Sequence, residues 1–518
     1  MAERYDVVVI GSGFGGGITA CRLAEAGHRV CVLERGRRFA GEDFIDDPDD
    51  APKLLWHESV NPGGMFDVRL LRDVSVICAA GVGGGSLVYA NVQLRAPAEV
   101  FERDWPAAIT RAGLEPWYDM TEAALDPVTT PDDPALPKLR AFDAVGARAG
   151  RSAERLPIAV HFGEEREHPF SGVRQGGCEN LGRCDIGCPV RAKNTVDITY
   201  LARAEQFGAE VRPLHLVTKL APVDGGWRVS FRHLGGGSDG SIEGARVVLA
   251  AGTLGSTRLL LQNRKALPGL SPALGTRFSG NGDALAVAFD PGAPDAQGAR
   301  NGYGPVMTSR LDYIADRGLM AADGGLPVGF DALLDVARDV DVIRGWRRWL
   351  LRLRNWLVNL GWGDRSLKPR ELRLRERRSE QDALIYLLIG RDAADGRMRL
   401  SPLFRKFEIR WSKAGSAQLF ADLEKTAREL AEAADATPFY ALEGGPLSTF
   451  TTVHPLGGCP MADDPADGVV DDLGRVYGQP GLYVLDGSIV PTSLGVNPSK
   501  TIAALAERGA AALVEELA

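Results

Sequence analysis

The sequence is poor in cysteine, with seven residues in a chain of 518. A sparse, odd-numbered set of cysteines does not form the disulfide framework of a small secreted protein, so that class is excluded and a reducing compartment is expected. No apolar run reaches the length of about 18 residues that indicates a membrane-spanning helix. Strand-like sequence begins at Tyr5, which leaves no room for a signal peptide and favours a cytoplasmic protein.

The chain also lacks an excess of positive charge. It has 60 Lys and Arg against 68 Asp and Glu, a formal net charge of -8, so no nucleic-acid partner is expected. The hydrophobic share of 45% and the charged share of 25% are ordinary for a globular protein and exclude a disordered, collagen-like or coiled-coil chain. The length is too great for one simple core and predicts two domains.

Glycine is abundant, at 62 residues, and its first cluster lies in a βαβ pattern. The apolar stretches 5–10 and 30–33 are typical of buried parallel strands. Between them come the glycine-rich residues 11–17 and a helical pattern over 18–26, with Gly27 as its C-cap.

The spacing of these glycines predicts dinucleotide binding. Gly11 permits a tight turn, Gly13 lets backbone N–H groups approach a pyrophosphate, and Gly16 lets the helix pack closely on the strand. The helix N-terminus faces the phosphates, and Glu34 after the second strand can bind ribose hydroxyls. The motif alone does not separate FAD from NAD. The chain has one such fingerprint, which disfavours an NAD-dependent reductase.

Three further segments carry a family resemblance. They are 81–97 (GVGGGSLVYANVQLRAP), 245–261 (ARVVLAAGTLGSTRLLL) and 454–509, which contains HPLGGCPM and GLYVLDGSIVPTSLGVNPSKTIAALAERG. Together they resemble the glucose-methanol-choline (GMC) oxidoreductases, and among them the bacterial cholesterol oxidases. The resemblance implies FAD as the cofactor. It also implies an α/β chain in which a Rossmann-like FAD-binding domain is joined to a discontinuous α+β domain on a largely antiparallel sheet.

Both implied domains are discontinuous along the chain. We expect the FAD-binding domain to comprise 1–43, 72–97, 172–288 and 455–518. We expect the substrate-binding domain to comprise 44–71, 98–171 and 289–454, with an amphipathic helical insert at 338–378.

The resemblance also implies a set of cofactor-binding residues. The loop at 81–86 would wrap the flavin, Asp486 and Gly487 would lie near the ribitol and pyrophosphate, and the Val217 backbone would meet the adenine. The helix that Pro498 begins would point its positive N-terminus at the pyrimidine edge of the flavin. The full expected set is Gly11, Gly13, Phe14, Gly16, Glu34, Arg35, Gly81, Gly83, Gly85, Ser86, Asn91, Val217, Ala251, Gly252, Asp486, Gly487, Asn497, Pro498 and Ser499.

Three residues are candidate catalytic groups. By resemblance, His454 bonds the substrate hydroxyl above the flavin, a task that suits a side chain titrating near neutrality. Asn497 would lie opposite His454, with capping of the following helix as the alternative. Glu380 would correspond to a carboxylate that moves a proton when a steroid double bond isomerises. Glu376 is a nearby competitor, and a solvated acid at a strand start is the alternative.

The expected function is FAD-dependent oxidation of a bulky apolar alcohol, of the sterol or 3β-hydroxysteroid type, within steroid or lipid metabolism. Hydride would pass from the carbinol carbon to flavin N5, with double-bond isomerisation as a further step. Oxygen or another electron acceptor would then reoxidise the flavin. The alternatives are a long-chain or terpenoid alcohol oxidase or dehydrogenase of the same family, and a membrane-associated flavoprotein with a non-oxidase role.

The stretch 342–360 (VIRGWRRWLLRLRNWLVNL) has apolar residues on one helical face and Arg or Asn on the other. Between 344 and 378 there are twelve Lys or Arg against three Asp or Glu. This pattern is typical of a helix on a membrane surface, and it predicts peripheral membrane contact or a lid. An ordinary packed helix with a solvated basic face is the alternative.

Cys178, Cys184 and Cys188 lie close together in sequence. The spacing resembles part of an iron–sulfur run, but a complete run needs a fourth cysteine. A zinc site would likewise need a fourth ligand, such as His161, His168 or Cys78. A reduced structural loop or one disulfide is favoured, and no metal is predicted.

Overall fold

The structure is a computed structural model that describes residues 3–45, 47–71, 73–133, 136–299, 302–326, 383–440 and 450–518. Its strands are β1 (Arg4–Ile10), β2 (Val30–Leu33), β3 (Phe66–Leu70), β4 (Val74–Ala79), β5 (Val128–Thr129), β6 (Ala153–Arg155), β7 (Pro157–Ile158), β8 (Arg166–Glu167), β9 (Arg174–Gln175), β10 (Glu210–Arg212), β11 (His215–Val223), β12 (Gly226–His233), β13 (Gly240–Leu249), β14 (Ala284–Phe289), β15 (Ser309–Tyr313), β16 (Leu319–Asp323), β17 (Ala383–Gly390), β18 (Arg397–Leu400), β19 (Phe407–Arg410), β20 (Thr437–Tyr440), β21 (Phe450–Thr452) and β22 (Leu482–Val484). Its helices are α1 (Phe14–Glu25), α2 (Glu115–Leu125), α3 (Pro137–Arg148), α4 (Ala202–Gln206), α5 (Gly252–Asn263), α6 (Ile314–Arg317), α7 (Ala417–Ala433) and α8 (Ser499–Leu517).

The first sheet has a parallel part in the order β10-β2-β1-β13-β22. The near-continuous apolar run of β1 follows from burial on both faces. Val7 and Val9 pack towards α1 and α8, whereas Val8 and Ile10 pack towards α5. The N-terminal half of β13 also pairs antiparallel with β12, and β12 pairs antiparallel with β11. This arrangement is the Rossmann-like fold expected from the sequence.

Helix α1 begins at Phe14, one turn before the predicted start at Ile18, so that prediction was wrong. Glycine has low helix propensity, but here the helix needs it. A Cβ on Gly16 would lie 2.0 Å from the carbonyl oxygen of Gly11. At the other end the C-cap is Ala26, one residue before the predicted Gly27. Gly27 follows it with φ +86°, and its N–H donates to the carbonyl of Ala24.

The second large sheet is antiparallel throughout, in the order β20-β14-β17-β16-β15-β6. This confirms the predicted second unit on an antiparallel sheet. One face packs on α3 and α7, where Ala284, Ala286 and Ala288 join their apolar core. The alternate positions of β14, which include Leu285 and Val287, lie on the opposite face.

A small sheet, β21-β4-β3, connects distant parts of the chain and leads directly into the segment that contains His454. The domain boundaries given above remain a prediction. The helical insert at 338–378 lies outside the described residues. Within the described ranges, no helix is long and apolar enough to cross a membrane.

Candidate active site

The glycine loop after β1 backs onto a second glycine loop. Gly11 has φ +98°, and a Cβ there would lie 2.3 Å from the carbonyl oxygen of Ala250. A Cβ on Gly13 would come no closer to the chain than 3.8 Å, at Gly84, whereas one on Gly84 would lie 2.5 Å from Gly13. A Cβ on Gly85 would meet nothing within 4 Å. The two loops therefore form an open backbone cradle, as close approach of a pyrophosphate requires.

Glu34 lies at the end of β2 and is 5% exposed. Its Oε2 accepts hydrogen bonds from the N–H and hydroxyl of Ser12, at 3.1 and 2.7 Å, and its Oε1 accepts one from the N–H of Gly36 at 2.8 Å. Ser12 also accepts from the N–H of Gly83. Sequence analysis missed Ser12, which joins the acidic residue to both glycine loops. Its place inside the G-x-G triplet is the available signal.

Arg35 is anchored beside the same strand end. It donates to Asp67 at 2.7 Å and to the carbonyl of Ala79, and its guanidinium lies 4.5 Å from the ring centroid of Trp56. Burial would raise the pKa of Asp67, but Arg69 and Arg35 together hold it below its usual value.

The backbone of β11 begins beside the end of β2, because the N–H of His215 donates to the carbonyl of Glu34. Val217 lies two residues further along β11, and the contact of its backbone with adenine stays a prediction.

Hydrogen bonds within the chain fix the second glycine loop, residues 81–86. The Ser86 hydroxyl donates to the carbonyl of Gly83 and accepts from the N–H of Val196, and Gly81 and Gly83 both have positive φ. Phe14 meets Tyr89 edge to face at 5.5 Å. The predicted residues of this loop are therefore fixed by contacts within the chain.

Asp486 is a buried residue that organises the start of α5. It accepts hydrogen bonds from the N–H of Gly252, the hydroxyl of Ser256 and both donors of Ser488. Burial raises the pKa of this carboxyl. A Cβ on Gly252 would meet nothing within 4 Å, so Gly252 borders open space, and Gly487 follows Asp486 in the next turn.

The N-terminus of α8 lies against residues 91–93. Ser499 and Lys500 donate to the carbonyls of Val92 and Gln93. Four polar atoms near this junction are buried without a hydrogen-bond partner among the described residues: both amide atoms of Asn91, Nε2 of Gln93 and Oδ1 of Asn497. Buried polar groups in this state call for a bound polar partner. These groups and the helix N-terminus fit the polar edge of a flavin ring, and Gln93 was not predicted.

His454 and Asn497 meet in front of this helix. Asn497 Nδ2 lies 3.5 Å from His454 Nε2. Asn497 Oδ1, the only side-chain atom that could cap α8, has no hydrogen-bond partner among the described residues, which removes the capping alternative. His454 Nδ1 lies 2.7 Å from Oδ1 of Asp283, a residue that sequence analysis missed. The available signal was weak: an acid in the glycine-rich turn GNGD before an apolar strand.

Two predicted features lie outside the described residues. They are Glu380, with its competitor Glu376, and the amphipathic stretch 342–360.

The cysteine segment lies behind the second glycine loop. Cys178, Cys184 and Cys188 are free thiols, and no cluster of three or more ligands suited to a metal is found in the described part of the chain. Lys193 joins the two segments by donating to the carbonyls of Leu87 and Cys184. Burial lowers the pKa of Lys193 to about 8.

Family models identify the chain. Two models, both described as GMC oxidoreductase, match residues 14–265 and 392–506. A cholesterol oxidase of Mycobacterium tuberculosis is 33% identical, over 98% of this chain and 91% of that protein. The chain belongs to the GMC oxidoreductase family. It is an FAD-dependent alcohol oxidoreductase, so its substrates are a small-molecule alcohol and an electron acceptor, and the resemblance seen in the sequence is confirmed.

More distant relatives agree on the fold. The long-chain-alcohol oxidase FAO4B of Arabidopsis thaliana is 24% identical, over 99% of this chain and 68% of that protein. The crystal structure of pyridoxine 4-oxidase from Mesorbium loti superimposes with a TM-score of 0.61 at 16% identity, covering 98% of both chains. The second likeness shows the fold alone. The cradle, the acidic Glu34 and the unpartnered amides fit FAD, which is the cofactor of this family.

Proposed function

We propose that the protein oxidises the hydroxyl of a bulky apolar alcohol, of the sterol or 3β-hydroxysteroid type. The observation that carries the proposal is the convergence of His454 Nε2 and the Asn497 amide at the N-terminus of α8, beside exposed aliphatic side chains. A general base and a hydrogen-bonding amide are the groups that an alcohol oxygen needs as it loses its proton.

Each residue has a distinct task in this proposal. Bound FAD supplies the hydride acceptor for the carbinol carbon. Nε2 of His454 accepts the hydroxyl proton, and the Asn497 amide holds the substrate oxygen. The positive end of α8 stabilises negative charge that develops in front of it. The predicted cofactor residues would hold FAD through the backbone cradle and Glu34.

The apolar character of the substrate is supported by side chains next to His454. Val453 is 45% exposed, although it immediately precedes His454. Leu285, two residues after Asp283, is 42% exposed in an otherwise buried strand, and its cross-strand partner Leu387 is partly exposed. Exposed aliphatic side chains on the segments that carry Asp283 and His454 favour a hydrocarbon skeleton, since burying apolar surface is its main contribution to binding.

The M. tuberculosis relative, named cholesterol oxidase, supports a sterol. The Arabidopsis relative, named long-chain-alcohol oxidase, supports a long-chain alcohol as the second candidate. The proposal includes isomerisation of the steroid double bond through Glu380. It also includes reoxidation of the flavin by oxygen or by another electron acceptor.

Anaerobic mixing with a 3β-hydroxysterol, followed at the visible flavin band, tests the function. We expect rapid bleaching in the native protein and no rapid bleaching in His454→Ala. Bleaching by a long-chain primary alcohol but not by the sterol would replace the first substrate with the second. Bleaching at an unchanged rate in His454→Ala would refute the residue assignment.

We also propose peripheral contact with an anionic membrane, first suggested by 342–360. A described element supports it: the β18–β19 hairpin tip, where Leu403 is 82% exposed and Phe404 is 51% exposed. Two basic residues, Arg405 and Lys406, follow them within the tip. Further along the hairpin, Arg399 and Arg410 are ion-paired with Glu408. Apolar residues flanked by cations favour insertion into an anionic lipid surface.

A further inference from the structure

We propose that Asp283 is a positioning residue that fixes His454 in the tautomer with its proton on Nδ1, so that Nε2 faces the substrate as an acceptor. The effect on turnover that we expect from it rests on the proposed function. The tautomer itself can be tested without any substrate.

Asp283 divides its two carboxylate oxygens between different groups. Oδ1 lies 2.7 Å from His454 Nδ1. Oδ2 accepts from the N–H groups of Val453 and His454, at 2.9 and 3.1 Å, and lies 2.9 Å from the hydroxyl of Thr452. The residue is 2% exposed. Asp283 thus binds the imidazole and the backbone that carries it at the same time.

This division decides where the imidazole proton lies. A carboxylate only accepts hydrogen bonds, so Nδ1 must donate, and Nε2 is left with a lone pair that accepts from the Asn497 amide at 3.5 Å. That lone pair is on the side of the ring near Asn497, where the substrate oxygen is placed in the proposed function. When Nε2 takes the hydroxyl proton, the ring becomes a cation 2.7 Å from the Asp283 carboxylate, which stabilises it.

The same contacts predict the effect of Asp283→Asn. The amide oxygen would take the position of Oδ2, since two backbone N–H groups require an acceptor there. The amide NH2 would then face Nδ1, and the imidazole would have to carry its proton on Nε2. The substitution would therefore convert Nε2 from an acceptor into a donor while keeping the size and shape of the side chain.

Asp392 provides a matched control. It is 4% exposed and holds the same turn from the other end by accepting from the N–H groups of Gly280 and Gly282. No hydrogen bond joins it to His454 among the described residues. Asp392→Asn should therefore disturb the turn by a similar amount without a change of tautomer.

The experiment is nitrogen NMR of the FAD-loaded full chain labelled with ¹⁵N in histidine, with His454 assigned by its loss in His454→Ala. We expect an unprotonated Nε2 in the native protein and in Asp392→Asn, and a protonated Nε2 in Asp283→Asn. A protonated Nε2 in the native protein would overturn the proposal even if no variant folds. An unprotonated Nε2 in Asp283→Asn would overturn it as well.

Turnover provides the second readout. We expect kcat to fall by about 10²–10⁴-fold in Asp283→Asn, with a much smaller change in KM, and we expect Asp283→Glu to recover part of the loss. An equal fall in Asp392→Asn would assign the effect to the turn and overturn the positioning role. If no alcohol is oxidised, the function fails, but the NMR result still decides the tautomer.

Discussion

The side-chain amide of Asn497 lies 3.5 Å from Nε2 of His454, the ring nitrogen that Asp283 leaves free. The Asn497 oxygen has no partner within the described residues. One face of the site therefore presents an acceptor nitrogen and an amide that can rotate either a donor or an acceptor towards a ligand. The pair can hold an alcohol oxygen from two directions.

Asn497→Ala should slow flavin reduction by about 10–100-fold, because one charge-assisted contact to the developing alkoxide is lost. The combined variant with His454→Gln should be less impaired than the product of the two single effects, since both groups act on one oxygen. Stopped-flow reduction of the four proteins measures this coupling. Multiplicative effects would mean that the two side chains act on different atoms.

Gly13→Ala should separate cofactor binding from folding. The added methyl would meet no chain atom closer than 3.8 Å, so the fold should survive, but the methyl would occupy the space where we expect the pyrophosphate to bind. We expect at least a tenfold weaker FAD affinity, equivalent to about 1.4 kcal/mol, at an unchanged circular dichroism spectrum. Visible absorbance per protein after dialysis measures the loss.

Gly16→Ala is the comparison for Gly13→Ala. Its methyl would lie 2.0 Å from the carbonyl oxygen of Gly11, and the helix would have to move. We expect this variant to lose folded protein as well as FAD. Equal FAD retention in Gly13→Ala and the parent protein would show that the phosphates bind elsewhere.

Local patterns in the sequence predicted the elements whose causes are local. The βαβ unit and the glycine that closes α1, Gly27, follow from apolar periodicity and glycine spacing within a few residues. Local patterns did not predict the start of α1. Its glycines are there because a Cβ on Gly15 or Gly16 would collide with the carbonyl oxygen of Leu485 or Gly11. Tertiary contact overrode helix propensity there.

The candidate site divides in the same way. His454 and Asn497 could be named because each stands in a recognisable string. Asp283 could not, since it contacts His454 across 171 residues of chain, and a single acid in a glycine turn commonly does no more than bond the backbone of that turn. Ser12 stands inside the G-x-G triplet, but its bonds to Glu34 and Gly83 form only in the folded chain. No short motif marks Gln93, whose buried side-chain nitrogen has no partner among the described residues.

Leu285→Ala should weaken the binding of a sterol by about tenfold, because removing buried methyl groups costs about 0.8 kcal/mol each. The rate of flavin reduction at saturation should change little, since Leu285 holds no reacting atom. Leu403→Ala, at the distant hairpin tip, is the control for a loss of apolar surface. Titration of the oxidised enzyme with a substrate analogue measures the binding affinity of both variants. An unchanged affinity in Leu285→Ala would place the hydrocarbon away from β14.

Leu403→Ser combined with Phe404→Ser should reduce binding to anionic vesicles by about 10–100-fold, because the two side chains would no longer enter the lipid. The exposed Phe207, which follows α4 beside the first sheet, serves as the control, as Phe207→Ser. Flotation at low and high salt measures the binding, and salt should weaken it through the basic residues of the hairpin. Equal flotation of all three proteins would contradict a role for this tip.

Asp185 should give the stability a distinct pH dependence. Burial raises the pKa of Asp185 from 3.8 to about 6. Between pH 4 and 6 the native state therefore keeps a proton that the unfolded state has released. The free energy of unfolding falls as pH rises through this window, because the native state binds more protons. The full cost above pH 6 is at most about 3 kcal/mol, at about 1.4 kcal/mol for each unit of pKa.

Asp185→Asn removes this titration and keeps the side chain's size. The variant should therefore gain stability relative to the parent protein as pH rises from about 4 to 6. Lys193, whose pKa is about 8, stays protonated across that window and does not alter the comparison. Urea unfolding at several pH values measures the difference, with Asp224→Asn in the exposed turn between β11 and β12 as the control. A difference between Asp185→Asn and parent that does not change with pH would mean that Asp185 is ionised throughout, and that water reaches its carboxylate in the native state.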